Sequence, residues 1–524
     1  MERPGTLTES DDNLAAIRAA GRLTVYELFA EQALRQPEKT ALKDKTRSFS
    51  YGTTRRRVDA LASRLESAGV RSGDRIAVLS ENRIEYIELH LAAARLGAIV
   101  ACQNWRLRGA ELEHCIGLVT PGLLLYSPRF AETGTALAEQ FGIAALSLGE
   151  DYDAWIEEPA GALPPPAQDI EAGLLILYTS GTTGPAKAAL ISQRAIIARM
   201  TLLQTDLDVE PEDGFLAWSP MFHMGGTEHS ISTLAMGGTV YVADGFDIDF
   251  IVETIGTARL GWLILVPATI ERLLEALDAT GTEPVGIKRV GAMADLLPKA
   301  QVAAVSQRLR SPFLNTFGAT ETGIAPASRG VIAPGVVPTS LSKSLNSLCA
   351  LRLVDTEGQE VADGSPGEAM VKGPTLFSGY WNNPETNARD FAGGWFRMGD
   401  LFTRNADGTV DFVGRAKYLI KSGGENIYPA EIEGVLLADA RVRDAIVVSA
   451  PDEKWGEVPV AVLASDVADS DDLTRELLSR CREELAGYKV PKALHFIDFD
   501  ELPRSSSGKI VREDVERWLA ERSS

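Results

Sequence analysis

The sequence predicts an α/β fold, and three observations carry that prediction. Strand-like apolar runs alternate with segments of helical periodicity from about residue 24 to about residue 330, the pattern of parallel strands joined by helices. From Leu351 to Phe412 the texture changes to short strands separated by glycine turns at 355–358, 363–367, 393–394 and 407–408, which predicts a β-rich subdomain. From Ile432 a further α+β unit begins. At 524 residues the chain exceeds what one core organises, so roughly three or four domain-sized units are expected.

The elements follow in order. Residues 24–35 read as a helix. Val58, Leu61, Ala62 and Leu65 recur at helical spacing, and Gly69 stands where a C-cap belongs. The run 76–79 is a strand. Residues 81–96 form the next helix, with Ile84, Leu89, Ala92 and Ala93 apolar and Gly97 closing it, and 98–101 is a strand again. Pro164, Pro165 and Pro166 mark 157–173 as a linker. The apolar run 174–178 is a buried strand, 188–191 another, and Ser192 is placed to cap a helix reaching Met200. Beyond Ile432 come strands at 445–448 and 458–463, and then a helix at 472–485 with Leu473, Leu477 and Leu478 on one face. A last helix covers 511–521. No internal repeat or low-complexity tract interrupts the chain.

Composition excludes several functions. The formal net charge is −21, whereas a nucleic-acid surface or an anionic-membrane patch needs clustered Lys and Arg. An anionic substrate would therefore be held by a local site. Cys102, Cys115, Cys349 and Cys481 lack metal-ligand spacing and read as free thiols of a reducing compartment, the cytoplasm. The first twenty residues carry Glu2, Glu9, Asp11 and Asp12 without a long apolar run, so no signal peptide is expected. No stretch of about 18 apolar residues predicts a membrane span. The last residues, Glu521 to Ser524, spell no peroxisomal address.

One loop stands out. Thr179, Ser180, Gly181, Thr182, Thr183, Gly184, Pro185, Ala186 and Lys187 leave the strand at 174–178. Glycines let backbone N–H groups approach a ligand, hydroxyls add donors, and Lys187 adds a point charge, a combination that grips phosphate oxygens. Composition alone leaves a second reading, an ordinary turn between strands. A Walker loop has Gly before its Lys, Ser or Thr after it, and a helix directly following. Here Ala186 and Ala188 flank Lys187 and a strand follows, which argues against a kinase or GTPase loop.

Five further blocks occur in order after this loop. They are Pro220-Met221-Phe222-His223-Met224-Gly225-Gly226, then Asn315-Thr316-Phe317-Gly318-Ala319-Thr320-Glu321, then Gly394-Trp395-Phe396-Arg397-Met398-Gly399-Asp400. Phe412-Val413-Gly414-Arg415-Ala416-Lys417-Tyr418 and Leu502-Pro503-Arg504-Ser505-Ser506-Ser507-Gly508-Lys509 complete the set. With these six blocks the chain resembles, over nearly its whole length, the adenylate-forming (ANL) superfamily. That superfamily comprises acyl- and aryl-CoA synthetases, peptide-synthetase adenylation domains and beetle luciferases.

The resemblance implies a large N-terminal domain, residues 1–414, of stacked α/β sheets with the β-rich subdomain. It implies a hinge at 415–417 and a small mobile α+β domain at 418–524. It also implies roles. Thr179 to Gly184 and Lys187 hold the ATP phosphates. Phe317, in place of the usual Tyr, stacks on adenine beside Gly318. Thr320 contacts the α-phosphate, and Glu321 binds Mg²⁺. Gly291 and Ala292 line the adenine and acyl pockets. Asp400 and Arg415 hold the ribose. Lys417 is the hinge, and Lys509 is the catalytic cation. Gly423 and Gly424 form a turn that swings toward the pantetheine tunnel, and Trp455 and Lys489 match segments that contact coenzyme A. Phe222, His223, Met224, Gly225, Gly226 and Ile324 fall in the acyl pocket, with His223 as its gate. No Asp stands near His223 to pair an α-ammonium, which disfavours amino-acid substrates.

The implied activity is that of an ATP- and Mg²⁺-dependent acid–CoA ligase. It would act on an apolar aromatic, alicyclic or medium-chain carboxylic acid, with coenzyme A as co-substrate, and a homodimer stays open. Two alternatives remain: an adenylating ligase with a carrier-protein acceptor, or a catalytically weak nucleotide-binding relative. Ala186, Ala188, Gln193 (often His in relatives), Met398 and Tyr418 (where an acid is common) depart from the family pattern.

Overall fold

The computed structural model describes residues 20–158, 160–179, 185–422, 425–465, 470–504 and 510–523. The mixed α/β architecture is the expected one, with a large N-terminal part and a smaller C-terminal one. By packing, the chain divides into two compact units. The first comprises Met1–Gly261, Ala319–Gly323 and Pro374–Asn387, and the second Trp262–Gly318, Ile324–Gly373 and Ala388–Ser524.

In the first unit the expected strand–helix alternation folds as a six-stranded sheet. Its order is Ala144–Ser147, Leu123–Tyr126, Arg75–Leu79, Ile99–Cys102, Gly173–Thr179 and Lys187–Ser192. The first five strands are parallel, and the last returns antiparallel to Gly173–Thr179, with Thr179 opposite Lys187. Near-continuous apolar runs such as Leu174 to Leu177 suit strands covered on both faces, and all four are buried. The helix Ile84–Leu96 ends on Gly97, which is left-handed (φ 71°) as a C-cap should be. Thr24 caps Val25–Arg35 in a full capping box with Glu27. Ser192 caps Gln193–Thr205, a turn and more beyond the expected end at Met200. The linker is anchored, since Arg95 Nη2 donates to the Pro164 carbonyl (2.7 Å). A second run of strands pairs Ser48–Ser50, Thr40–Lys43, Val240–Val242 and Gly214–Ala217 in that order.

In the second unit Gly286–Ala292 runs parallel to Phe313–Asn315. The β-rich stretch is a five-stranded antiparallel sheet built on Ala350–Val354, Pro366–Lys372 and Trp395–Arg404. The C-terminal α+β unit begins earlier than Ile432, with the strand Ile420–Ser422 and the helix Pro429–Leu437. Its central strands, Val442–Asp452 and Gly456–Ser465, alternate their faces with period two. Ala445, Val447, Ala461 and Leu463 pack under Leu473 and Leu477 on one side. Ile446, Val448, Val460 and Val462 pack under Val515 and Leu519 of Arg512–Ser523 on the other. No helix among the described residues is long and apolar enough to cross a membrane.

Candidate active site

In the first unit the site is built at the open end of the hairpin Gly173–Thr179/Lys187–Ser192. Ser180 to Gly184 lie outside the described residues, so their backbone grip on phosphate rests on the sequence alone. Lys187 opens the return strand, and its ammonium sits 4.1 Å from the centre of the Tyr380 ring. The Tyr380 hydroxyl donates to Glu321 Oε1 (2.7 Å). The stretch carrying Tyr380 is laid against the return strand by backbone bonds. Ser378 N–H donates to Leu190 O (2.7 Å), Leu190 N–H to Gly379 O (3.0 Å) and Trp381 N–H to Ala188 O (2.7 Å). Phe377 N–H donates to the Glu321 carbonyl (2.8 Å). The two expected charges, Lys187 and Glu321, are thus brought to one tyrosine that sequence reasoning passed over. The available signal was the Gly379-Tyr380-Trp381 run between two assigned blocks.

At Ala188 and Gln193 the departures around this hairpin have local reasons. Ala188 is buried with Ile99, Ala101, Val119 and Ile176, so its methyl fills core space. The Ala186 carbonyl lies 3.1 Å from His114 Nε2. Gln193 accepts from Val25 N–H (2.9 Å) and donates to Ala94 O (3.2 Å), tying two helix ends together. It is a buried packing residue.

His223 stands at the N-cap of Met224–Met236, and its carbonyl accepts from Gly226 and Thr227 N–H groups. Its ring lies against Phe222 (4.6 Å between centres), and Phe222 meets Trp105 edge-on (5.9 Å). Arg106 covers both Trp105 and Phe222. Met224 and Gly225 open the helix. Gly226 is required for close approach, because a Cβ there would lie 2.4 Å from Ser219 O and 2.6 Å from Pro220 O. The helix that follows is buried and unusually polar, with Thr227, Glu228, His229, Ser230, Ser232 and Thr233 all inside. Glu228 pairs with Arg199. Burial raises the Glu228 carboxyl above its ordinary range, and Arg199 opposes that rise. Burial pushes His229 down to about 4, so it is neutral at pH 7.

In the second unit Asp400 and Arg415 face one another across adjacent strands, and Arg415 Nε lies 2.9 Å from Asp400 Oδ1. Phe317 is only 6% exposed and packs with Phe402 (4.7 Å, edge-on) and Phe412 (5.2 Å). Its N–H donates to Ser328 Oγ (2.9 Å). Gly318 begins the next short strand. Gly291 admits the Leu314 carbonyl, which would lie 2.2 Å from a Cβ, and Ala292 O accepts from Thr316 N–H (3.0 Å). Just beyond, the fully buried Lys343 is paired with Asp295. Ile324 is buried on the strand Gly323–Pro326.

Toward the C-terminus Lys417 Nζ meets Glu513 Oε1 (2.5 Å), and the Tyr418 hydroxyl donates to the same oxygen (3.0 Å). Burial raises the Glu513 carboxyl, but Lys417, its own backbone N–H and the Tyr418 hydroxyl together outweigh it, and the group titrates below its ordinary value. Trp455 is 42% exposed on a turn in which Asp452 Oδ1 accepts its N–H (2.9 Å). Lys489 Nζ meets Glu431 Oε2 (2.5 Å). Gly423, Gly424 and Lys509 lie outside the described residues. Among the described residues no three His, Cys, Asp or Glu side chains cluster to hold a metal by themselves.

Comparison with known proteins gives the family. The AMP-binding enzyme family matches residues 29–381, and its C-terminal domain matches residues 431–509. An indoleacetate–CoA ligase of Aromatoleum aromaticum is 33% identical over 504 residues, covering 93% of this chain and 96% of its own. A feruloyl-CoA synthase of an Amycolatopsis species is 33% identical over 490 residues, covering 93% of this chain and 97% of its own. The structure of o-succinylbenzoate coenzyme A synthetase from Bacillus subtilis, in complex with ATP and magnesium ion, superposes with a TM-score of 0.81. It is 27% identical and covers 93% of this chain and 99% of its own. The chain therefore belongs to the AMP-binding enzyme family, in its acid–CoA ligase branch.

Proposed function

We propose that the chain joins an aromatic carboxylic acid to coenzyme A in two steps, through an acyl-adenylate formed from Mg·ATP. The observation that carries the reading is the row Lys187–Tyr380–Glu321 at the mouth of the hydroxyl- and glycine-rich loop. A point cation suits phosphate oxygens, and a hard carboxylate suits a divalent ion riding on them. Among the described residues Tyr380 takes one Glu321 oxygen, and the second would be the one offered to such an ion. When bound there, Mg²⁺ would neutralise charge on the nucleotide's phosphates. The relatives' aromatic acids and the aromatic row Trp105–Phe222–His223 support an aryl or arylalkyl substrate over a small aliphatic one.

A carboxylate is a poor acyl donor because its leaving group would be oxide. In the first step the acid's oxygen attacks the α-phosphorus and pyrophosphate leaves. This is in-line chemistry in which the protein positions groups and offsets charge. Lys187 and the residues 179–184 hold the outgoing phosphates, Thr320 meets the α-phosphate, and Lys509 stabilises the charge that builds at the reacting oxygens. Phe317 with Gly291 and Ala292 flank the adenine, and Asp400 with Arg415 take the ribose hydroxyls. Phe222, His223, Met224, Gly225, Gly226 and Ile324 border the acyl group. In the second step residues 418–524 turn about Lys417 and carry Lys509 away. Gly423 and Gly424 then face the incoming pantetheine, with Trp455 and Lys489 on coenzyme A. The thiolate attacks the acyl carbon and AMP leaves. The enzyme works in the cytoplasm, where its four free thiols stay reduced.

The test is AMP release over a panel of aromatic, alicyclic and aliphatic acids, with and without coenzyme A. The expected result is release that needs both an aryl acid and coenzyme A. Release with no acid at all, or with acetate above every aromatic acid, overturns the reading.

A further inference from the structure

Arg199 is 4% exposed, and its guanidinium bonds in three directions. It pairs with Glu228, donates from Nε to Thr375 O (2.9 Å) and donates from Nη2 to Thr320 O (3.1 Å). The two carbonyls lie on chain segments that reach Glu321 from different sides. Thr320 is its immediate neighbour. Thr375 heads the stretch whose Phe377 N–H holds the Glu321 carbonyl and whose Tyr380 hydroxyl holds its carboxylate. Gly323 makes room for the arginine stem, since a Cβ there would lie 2.6 Å from Arg199 Cδ.

The three acceptors are met by Nε, Nη1 and Nη2 in turn, nitrogens set apart across one planar guanidinium, a spread that the single nitrogen of an ammonium does not reproduce. Nor does stability explain the pair well. Replacing a buried ion pair by well-packed apolar residues is often neutral or stabilising. We infer that Arg199 is a positioning residue, a clamp that sets where the Glu321 carboxylate stands and so how tightly the Mg·nucleotide is held. This rests on the assignment of Glu321 to the metal in the proposed function.

The test is Mn²⁺ binding to the full chain in the presence of α,β-methylene-ATP, read by electron paramagnetic resonance, with pyrophosphate exchange against Mg²⁺ concentration beside it. Arg199→Met is expected to weaken Mn²⁺ binding and raise the half-saturating Mg²⁺ at least tenfold, while the KM for the acid moves less than threefold. Arg199→Lys keeps the charge beside Glu228 and should fall between Met and wild type. It carries the comparison if Arg199→Met folds poorly. Folded variants that bind Mn²⁺ as tightly as wild type overturn the inference alone. Mn²⁺ binding needs no acid and no turnover, so it is read whatever the acid panel shows. Absence of nucleotide-dependent Mn²⁺ binding in the wild type would overturn the Glu321 assignment itself and the inference with it.

Discussion

Removing one hydroxyl tests the Lys187–Tyr380–Glu321 row. Tyr380→Phe keeps the ring under Lys187 and deletes the bond to Glu321. A hydrogen bond to a charged group contributes about 1.5–3 kcal/mol to stability, so the thermal midpoint should drop, and with Glu321 less firmly held pyrophosphate exchange should fall roughly tenfold. An unchanged exchange rate would show that the hydroxyl is idle. Lys187 and Glu321 were legible as motif residues, whereas Tyr380, 59 positions beyond Glu321, becomes a partner only through the fold. A second residue-scale prediction concerns pH. His229 titrates at about 4 in the folded chain against an ordinary 6.5, because burial disfavours its charged form. The unfolded chain therefore binds the proton first. This contribution is full above about pH 6.5, is lost as pH falls toward 4, and is on the order of 3 kcal/mol. His229→Gln should flatten the dependence of the unfolding midpoint between pH 6.5 and 4, and an unchanged slope would contradict the buried neutral imidazole.

Among the elements, helix Met224–Met236 is where sequence reading reached least far. Its hydroxyls, Glu228 and His229 are polar, yet all are inside: Arg199 pairs with Glu228, and the Thr227 and Ser230 hydroxyls donate to the Met221 and Gly226 carbonyls. Strands and helices with plain periodicity were read well, as at Arg75–Leu79 and Ile84–Leu96. Boundaries slipped where caps decide them, as at Gln193–Thr205. Gly226→Ala tests the entry to the polar helix. The added methyl meets backbone oxygens of Ser219 and Pro220, which cannot rotate away. Overpacking of this kind costs about 1–3 kcal/mol. The thermal midpoint should drop and the KM for the acid should rise more than that for ATP. Equal shifts in both constants would place the strain elsewhere.

For the molecule as a whole, the two-step scheme predicts that Lys509→Ala abolishes adenylation and leaves thioester formation from a supplied acyl-adenylate largely intact. Equal loss of both steps would refute domain alternation. The six blocks made the fold class and the reaction class readable, since each carries its chemistry locally. The Asp400–Arg415 pair was also within reach, because the two lie opposite on adjacent strands of one sheet. What stayed opaque was Tyr418, whose partner Glu513 lies 95 residues on. That distance matters to anyone recombining enzymes of this kind. A chimera that splices a foreign tail after Tyr418 would lose the helix that carries Glu513, taking from Lys417 and the Tyr418 hydroxyl the carboxylate they share. Hybrids of this chain should therefore be cut so that residues 417, 418 and 513 travel as one heritable set.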